Sequence, residues 1–368
     1  RFNCFREGLF IGVLMKLKAF RKEIDTIDDN ILELLERRME IVKHIGKLKA
    51  QSNTPIYRPE REQKIIQRLL AKNPHYLNKN AIESIYLEIF AVSRNLELPE
   101  RIAYLGPLGS YTHQAAESRF GGVCEYLPYN TIQTTLKSVE QGCTNYAVIP
   151  IENNQNGIVG ETLDLLKSTP LKIVAEVYIP IHHCFATSSQ NIQEIKRIYS
   201  KDIAFGQCSH FLSERSLDHI QKIPVDSTAR AAQLTAEDSQ SACICSHIGA
   251  KLYKVPILFE NIENNANNQT RFIIISNFKN QSCGRDKTSI FANLVNTNKP
   301  GVLYHLLRDI KKLNINITSI QSRPAHSNGN FSYCFFIDVD GHIDDDNIHQ
   351  LFEIYPQELK WLGSYLKN

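Results

Sequence analysis

Apolar residues near the start of the chain recur at the three- and four-residue spacing of one helical face. The series comprises Ile24, Ile27, Ile31, Leu34, Ile41, Ile45 and Leu48. Position 38, where the series would place another apolar residue, holds Arg38, and Lys49 lies roughly three turns further along the same face. The pattern predicts a long amphipathic helix with cations inside its apolar stripe.

The length of this helix predicts a dimer. A helix of about 35 residues spans roughly 50 Å, which a domain confined to residues 15–98 cannot cover by itself. We therefore predict that the helix pairs with a second copy in an intertwined, all-helical dimer.

Two further helices are predicted between residues 58 and 98. The first opens on RPERE at 58–62, where proline suits an initial helical turn. The second carries Ser93 and Glu97 one turn apart, on the face that begins with Ile82, Ile85 and Ile89. Polar groups converging inside a helical dimer favour a pocket for a small polyanion. The structural alternative is that Arg38 snorkels to the surface or pairs with Glu62, and the pattern alone favours neither.

From residue 101 onward, short β-rich runs alternate with helical stretches, which predicts an α/β domain. The clearest runs are Ile102–Leu105, Tyr146–Ile149 and Ile273–Ile275. The last part of the chain has the order β-α-β-β-α-β of a ferredoxin-like domain. The predicted domains are residues 15–98, 101–279 and 287–368.

Composition narrows the class of protein. The chain has 368 residues, of which 42% are hydrophobic and 22% charged, as in soluble proteins of two or three domains. A net charge of +3 without a basic, aromatic-rich run argues against nucleic acid. The apolar run Leu9–Met15 is too short to span a membrane and lacks a signal-peptide cleavage site. Residues 1–14 are interpreted as a leader outside the fold.

The cysteines indicate a reducing compartment. There are nine, and none forms a CxxC pair. This pattern favours free thiols in the cytoplasm over a disulfide framework or a zinc site. We predict neither a metal nor a cofactor.

The α/β segment carries several candidate motifs. The turn Gly106–His113 feeds a helix N-terminus, which is a natural anion site although most such turns only connect elements. It is not GxGxxG, and no dinucleotide fingerprint occurs in the chain, which argues against a fused NAD-dependent dehydrogenase. Cys184 and Cys208 are more typical of buried small residues than of nucleophiles. The other motifs are Val148-Ile149-Pro150-Ile151-Glu152-Asn153 leading to Gly157, His182 with Cys184, Gln207-Cys208-Ser209, Ser227-Thr228-Ala229 and Asn268-Gln269-Thr270-Arg271-Phe272.

The helical segment resembles the all-helical chorismate mutases. FRKEID and LLERRMEIVKHIGKLKA are similar to that family's first helix, and YRPEREQ to its second. The resemblance implies that arginines bind the two carboxylates of chorismate. Lys49 would donate a hydrogen bond to its ether oxygen, and Glu62 would accept one from its ring hydroxyl. Ser93 and Glu97 would complete the site, and Arg58 stands where some relatives carry Asp. The implied carboxylate-binding residues are Arg21, Arg38 and Arg61, with Arg61 or Arg21 coming from the partner chain.

The α/β segment resembles the prephenate dehydratases, most clearly in PIEN and TRF. The family implies two α/β lobes with the site in the cleft between them, and an elimination without a covalent intermediate. Thr270 is the implied proton donor and Arg271 the implied carboxylate anchor. Glu152 would support these residues rather than contact the substrate itself. The remaining substrate-binding residues would be Asn153, Gln207, Ser227, Thr228 and Phe272.

The last segment resembles the ACT domains of phenylalanine-inhibited dehydratases, in QSRPAH at 321–326 and FIDVDGH at 336–342. Gln321 stands where the family usually has Glu, which removes a charge and alters the expected inhibition. The alternative is a structural domain that only dimerises. The implied effector-binding residues are Pro300, Gly301, Val302, Leu303, Ser322, Arg323 and Pro324.

Taken together, the three segments resemble the bifunctional chorismate mutase–prephenate dehydratases. The implied function is to convert chorismate to prephenate and prephenate to phenylpyruvate, with phenylalanine as feedback inhibitor and a homodimer or higher homo-oligomer as the assembly. Two alternatives remain at this point. The second domain could dehydrate arogenate, or the chain could be a non-enzymatic amino-acid sensor.

Overall fold

The structure is a computed structural model that describes residues 2–52, 57–294, 300–327 and 330–367. The chain forms two compact units, one made of Arg1–Tyr57 and Val92–Pro99, and the other of Arg58–Ala91 and Glu100–Asn368. None of the described helices is long and apolar enough to cross a membrane.

Three helices occupy the N-terminal region, as predicted. They are α1 (Phe2–Ser52), α2 (Pro59–Leu70) and α3 (Lys79–Glu97). Helix α1 begins at Phe2, within the segment interpreted as a leader. Its apolar stripe is exposed throughout, from 42% at Ile45 to 66% at Leu48.

The dehydratase-like region forms two lobes, as predicted. The first contains β1 (Arg101–Leu105), α4 (Tyr111–Phe120), β2 (Glu125–Tyr129), α5 (Ile132–Glu140), β3 (Tyr146–Asn153), β4 (Gly157–Ile158), α6 (Gly160–Leu166), β5 (Lys172–Pro180) and, later in the chain, β11 (Gln269–Ser276). Its sheet has the order β2-β1-β3-β11-β5, with β4 beside β3.

The second lobe lies between β5 and β11 in the sequence, so the chain crosses between lobes twice. It contains β6 (Cys184–Thr187), a short 3-10 helix (Ile192–Glu194), β7 (Arg197–Ser200), α7 (Asp202–Gln207), α8 (Ser209–Glu214), β8 (Gln221–Pro224), α9 (Thr228–Glu237), β9 (Ser241–Cys245), α10 (His247–Leu252) and β10 (Ile257–Phe259). Its sheet has the order β10-β6-β9-β7-β8.

Strand β11 brings two of the motifs together. Its residues Ile273–Ile275 are fully buried, so the strand occupies the middle of the first sheet, antiparallel to both β3 and β5. In this register Thr270 pairs with Asn153 and Arg271 with Glu152. Residues that lie more than a hundred positions apart in the sequence are therefore neighbours.

The C-terminal region has the predicted ferredoxin-like order. Its elements are β12 (Asp286–Ala292), α11 (Val302–Lys312), β13 (Ile317–Ser327), β14 (Asn330–Asp340), α12 (Asp346–Ile354) and β15 (Leu359–Leu366). The antiparallel sheet has the order β13-β14-β12-β15.

Each face of this sheet is covered. One face packs on α11 and α12 through residues such as Ile310 and Leu351, and the other packs on the first lobe through Phe336 and Tyr365. Strand β15 approaches β5 so closely that a Cβ at Gly363 would lie 2.1 Å from the Ile173 carbonyl oxygen. Only glycine fits there.

Candidate active sites

In the helical unit, α1 and α3 hold two of the predicted pairs. Arg38 donates to the Ser93 hydroxyl, which is buried. Lys49 Nζ lies 2.8 Å from Glu97 Oε2 in a salt bridge whose side chains are 20% and 9% exposed. A Cβ at position 46 would lie 3.1 Å from Glu97 Cγ, so Gly46 lets the two helices approach. Cations and their partners are therefore positioned by the packing of α1 on α3.

The other residues predicted for the mutase site are either exposed or in contact with other protein groups. Arg21 is exposed on α1. Arg58, Arg61 and Glu62 belong to the second compact unit. There Arg58 contacts Glu60 at 2.8 Å and Gln281, and Glu62 lies 3.8 Å from Arg119 of α4.

The dehydratase-like lobes enclose a cleft of about 310 Å³. It opens at the ends of β3, β11 and β5 on one side and of α7 and α9 on the other. Six of the eight predicted residues line it: Asn153, Gln207, Ser227, Thr228, Thr270 and Phe272.

The hydrogen bonds of Asn153 fix the direction of the Thr270 hydroxyl. Asn153 Oδ1 accepts from the backbone N–H groups of Gln155 and Asn156, at 3.0 and 2.9 Å. Its Nδ2 must then point the other way, where it donates to Thr270 Oγ1 at 2.9 Å. Because the Thr270 oxygen is an acceptor in this bond, its own hydrogen is available to the cleft.

Two helix N-termini meet the cleft from opposite lobes. Ser110 caps α4 by accepting from the His113 amide, and Ser227 caps α9 by accepting from the Arg230 amide. Helix N-termini carry partial positive charge and unpaired N–H groups, which suit carboxylates. Lys201 is the one lysine or arginine among the described residues that line the cleft.

Sequence reasoning missed part of this lining. It singled out the turn Gly106–His113, which contains Tyr111, and the motif that begins at Asn268, but it did not identify His183 or Lys201. Lys201 directly follows β7, and residues after the carboxyl ends of strands often line ligand sites in α/β folds. That position is the signal that could have identified it.

Arg271 and Glu152 lie on the other side of the sheet from the cleft. Side chains alternate along a strand, so Arg271 faces away from Thr270 and Phe272. Both Arg271 and Glu152 line a separate cavity of about 30 Å³ against the ACT-type sheet. The prediction that Arg271 anchors a substrate carboxylate is therefore corrected: in this structure its partners are protein groups.

Those partners form a buried ionic cluster. Arg271 lies 2.8 Å from both Glu176 of β5 and Asp338 of β14, and donates to the Tyr365 hydroxyl at 2.9 Å. Lys287 of β12 lies 2.7 Å from Glu176. The cluster ties the strand that carries Thr270 to three strands of the ACT-type sheet.

The thiols near the cleft are poor nucleophiles. Burial raises the pKa of Cys184 to about 11 and raises the pKa of Cys208 as well. Both stay protonated near neutral pH, so they are inert as thiolates.

Three of the predicted effector residues, Ser322, Arg323 and Pro324, lie on strand β13 and point to two different faces of it. Ser322 and Pro324 are exposed. Arg323 points toward the first lobe, where it lies 2.8 Å from Asp164 of α6. In this structure Arg323 thus makes a contact within the chain, and its role in effector binding stays a prediction. Pro300 to Leu303 lead into α11, with Gly301 in a left-handed conformation at φ +90°.

Three parts of the chain match models of known protein families. Residues 20–98 match the family model of chorismate mutase type II, residues 102–280 that of prephenate dehydratase, and residues 290–353 that of the ACT domain. The bifunctional chorismate mutase/prephenate dehydratase of Aquifex aeolicus is 37% identical over 359 residues, which are 96% of this chain and 98% of the relative. That of Pseudomonas aeruginosa is 35% identical over 361 residues, again 96% and 98%.

A solved structure is similar as well. Prephenate dehydratase from Arthrobacter aurescens, crystallised in complex with L-Phe, is 31% identical with a TM-score of 0.65. The match covers 73% of this chain and 90% of that one.

Proposed function

Because this chain belongs to the bifunctional chorismate mutase/prephenate dehydratase family, we propose that its helical domain rearranges chorismate to prephenate and that its two-lobed cleft dehydrates prephenate to phenylpyruvate. The observation that carries the second step is the Thr270 hydroxyl, whose hydrogen is left available to a cleft with two helix N-termini.

The mutase step needs charge rather than a nucleophile. Chorismate rearranges through a pericyclic transition state, so the protein has to hold the dianion in a compact conformer and stabilise charge on the ether oxygen. Arg38, fixed by Ser93, supports carboxylate binding, and Lys49 supports donation to the ether oxygen. The roles of Arg21, Arg58, Arg61 and Glu62 in chorismate binding stay predictions from the family resemblance, with Arg61 or Arg21 supplied by a second copy.

The exposed stripe of α1 supports a homodimer. Seven large aliphatic side chains in one row are each at least 42% exposed, and a contiguous apolar surface of this kind is typical of an interface. A second copy of α1 offers the matching apolar row. Sedimentation equilibrium would measure the assembly, and a monomer would contradict this part of the proposal.

Glu97→Gln tests whether the residue at position 97 donates a hydrogen bond to the ether oxygen of chorismate. An ionised carboxylate only accepts hydrogen bonds, whereas an amide also donates. We expect Glu97→Gln to keep at least the wild-type mutase kcat/KM, because the amide adds a hydrogen-bond donor for the ether oxygen beside Lys49. Initial rates on chorismate measure this, with dehydratase rates on prephenate as the control. A loss of mutase activity in the variant would show that Glu97 serves only as the salt-bridge partner of Lys49.

The dehydratase step expels water and carbon dioxide. The ring carboxylate leaves as carbon dioxide, its bonding electrons enter the ring, and the departing hydroxyl takes up a proton. Thr270 is placed to donate a hydrogen bond to that hydroxyl. The N-termini of α4 and α9, together with Lys201, provide positive potential for the carboxylates. A threonine hydroxyl is a weak acid, so Thr270 acts by hydrogen bonding or as part of a relay.

Prephenate is preferred over arogenate as the substrate. Arogenate carries an ammonium group in place of the keto oxygen, whereas the mutase domain of the same chain supplies prephenate. A non-enzymatic sensor is disfavoured because both catalytic domains match enzyme families.

Eight described cysteines are free thiols. This supports our proposal that the enzyme works in the cytoplasm, where thiols stay reduced.

Phenylalanine is the proposed inhibitor of the dehydratase, since the similar enzyme from Arthrobacter aurescens was crystallised with it. We propose that it binds the ACT domain near Gly301 and Ser322. The ionic cluster of Arg271, Glu176 and Asp338 then links the ACT sheet to the strand of Thr270. Inhibition requires that phenylalanine bind the less active conformation more tightly.

Asp338→Asn tests that link in the full chain. Loss of the charge weakens the contact between β14 and Arg271, so we expect half-inhibition to need at least about fivefold more phenylalanine, the lower end of typical couplings. Asp340→Asn is the matched control, because Asp340 lies on the same strand but pairs with Lys367 within the ACT domain. Unchanged inhibition in Asp338→Asn would exclude this route.

A further inference from the structure

A chain of three side chains leads from α4 to the cleft. Tyr111 contacts His183, and His183 contacts Gln207, at 3.2 and 2.9 Å. We propose that His183 is a positioning residue that holds the Gln207 amide with its carbonyl oxygen toward the cleft, where it accepts a hydrogen bond from the substrate hydroxyl. This inference rests on the proposed dehydratase function.

The hydrogen of Tyr111 has a defined acceptor. The phenol lies 2.7 Å from the His182 carbonyl oxygen, which can only accept, and 3.2 Å from His183 Nδ1. Burial raises the pKa of Tyr111 well above its usual value, so the phenol keeps its hydrogen. The shorter contact takes that hydrogen, and Tyr111 presents only a lone pair to His183.

The tautomer of His183 follows from this arrangement. Because His183 Nδ1 faces a lone pair of the Tyr111 hydroxyl, Nδ1 must carry the hydrogen. In a neutral imidazole with its hydrogen on Nδ1, Nε2 is an acceptor. The amide of Gln207 must therefore donate its NH₂ group to Nε2. The atom placed 2.9 Å from His183 Nε2 is Gln207 Oε1. Because amide nitrogen and oxygen atoms are assigned from the hydrogen-bond network, we assign the amide the other way round, with its nitrogen toward Nε2 and its oxygen toward the cleft.

The surroundings keep His183 neutral near neutral pH. The residue is 2% exposed, and burial lowers its pKa despite the upward effect of Glu263. Glu263 accepts from the His183 backbone N–H at 2.9 Å and lies 2.6 Å from His182 Nδ1. The titratable groups that face this network are Tyr111 from α4, Glu263 from the segment after β10, the chain neighbours His182 and Cys184, Cys208 beside Gln207, and Lys201 in the cleft wall.

The orientation of Gln207 matters because prephenate has one hydrogen-bond donor. Its carboxylates and keto group only accept, so the ring hydroxyl is the sole group that can donate to a carbonyl oxygen. Thr270 donates to that hydroxyl and Gln207 accepts from it, which fixes the leaving group between two side chains of opposite polarity. An amide turned the other way would instead attract a carboxylate.

Protonation of His183 would turn the Gln207 amide around. An imidazolium donates from both nitrogens, so Gln207 would have to turn its oxygen toward Nε2 and its NH₂ group toward the cleft. Dehydratase kcat/KM should therefore fall on the acid side, below the ordinary histidine pKa, because the pKa of His183 is lowered.

The test combines spectroscopy with kinetics on the full chain. Nitrogen-15 NMR of histidine-labelled protein, assigned with His183→Gln, should show protonated Nδ1 and unprotonated Nε2 at neutral pH. His183→Gln should lower dehydratase kcat/KM about tenfold, which is less than the roughly 10² to 10⁴ expected for a group that itself transfers a proton. The variant should also lose the decrease in kcat/KM on the acid side of the pH profile. His182→Gln is the matched control, since His182 contacts Glu263 and is 43% exposed, and it should keep that decrease.

Two outcomes would overturn the inference: protonated Nε2 in the wild type, or an acid-side decrease in kcat/KM that survives in His183→Gln. A wild type without dehydratase activity would instead contradict the proposed function, and the NMR result would still decide the tautomer. Mutase turnover, measured in the same samples, should be unchanged in all three proteins.

Discussion

Thr270→Val should lower dehydratase turnover by roughly 10² to 10⁴, the range expected for one positioned proton-donating group. Valine keeps the branched shape and the strand pairing of Thr270 with Asn153 and Ile179, but it removes the hydroxyl that donates to the leaving group. Rates with added prephenate measure the effect. Mutase rates on chorismate should be unaffected, because the two sets of residues lie in different domains.

Asn153→Asp separates hydrogen-bond direction from shape. A carboxylate at position 153 can accept the Thr270 hydrogen, which would turn that hydrogen away from the cleft. We expect this isosteric variant to lose nearly as much dehydratase activity as Thr270→Val. Full activity in Asn153→Asp would contradict the donor role of Thr270.

Arg38→Met should lower mutase kcat/KM by about 10² to 10³, the loss typical of removing one fixed donor from a charge-stabilising site. Methionine retains much of the aliphatic stem of Arg38 but lacks the guanidinium that Ser93 positions. Arg37→Met is the matched control, because Arg37 is the exposed neighbour on the same helix. Chorismate consumption measures both variants.

Equal losses in Arg37→Met and Arg38→Met would show that the general charge of α1, rather than a fixed cation, supports the rearrangement. A loss of dehydratase activity in Arg38→Met would show coupling between the domains. Circular dichroism and sedimentation should match the wild type in both variants.

The fold could be predicted from the sequence where one periodicity dominates. The apolar stripe of α1 and the β-α-β-β-α-β order of the last domain are local patterns, and both predictions are confirmed. The start of α1 at Phe2 was not predicted, because residues 1–14 were interpreted as a leader outside the fold.

The candidate cleft was predicted in part. Asn153 and Thr270 were identified from motifs, and the strand register places them side by side. Arg271 was assigned to the substrate although strand alternation puts it on the opposite face from Thr270. Which surface covers that opposite face depends on the packing of the ACT domain, and no local pattern in the sequence encodes it.

The roles of Lys201 and His183 could not be predicted from a local sequence pattern either. Their roles depend on the closure of two lobes whose contacts are formed by residues distant in the sequence. Gln207 was identified as an orienting group, but the direction of its amide depends on Tyr111 and His183, which only the tertiary structure brings together.

The central claim is that one chain holds two separable active sites that act in sequence. The most direct measurement supplies chorismate to purified wild type, Arg38→Met and Thr270→Val, and follows prephenate and phenylpyruvate separately over time. We predict both products in order from the wild type, accumulation of prephenate with Thr270→Val, and neither product with Arg38→Met unless prephenate is added. If either substitution abolished both activities in a protein that remains folded, the claim of two separate sites would be contradicted.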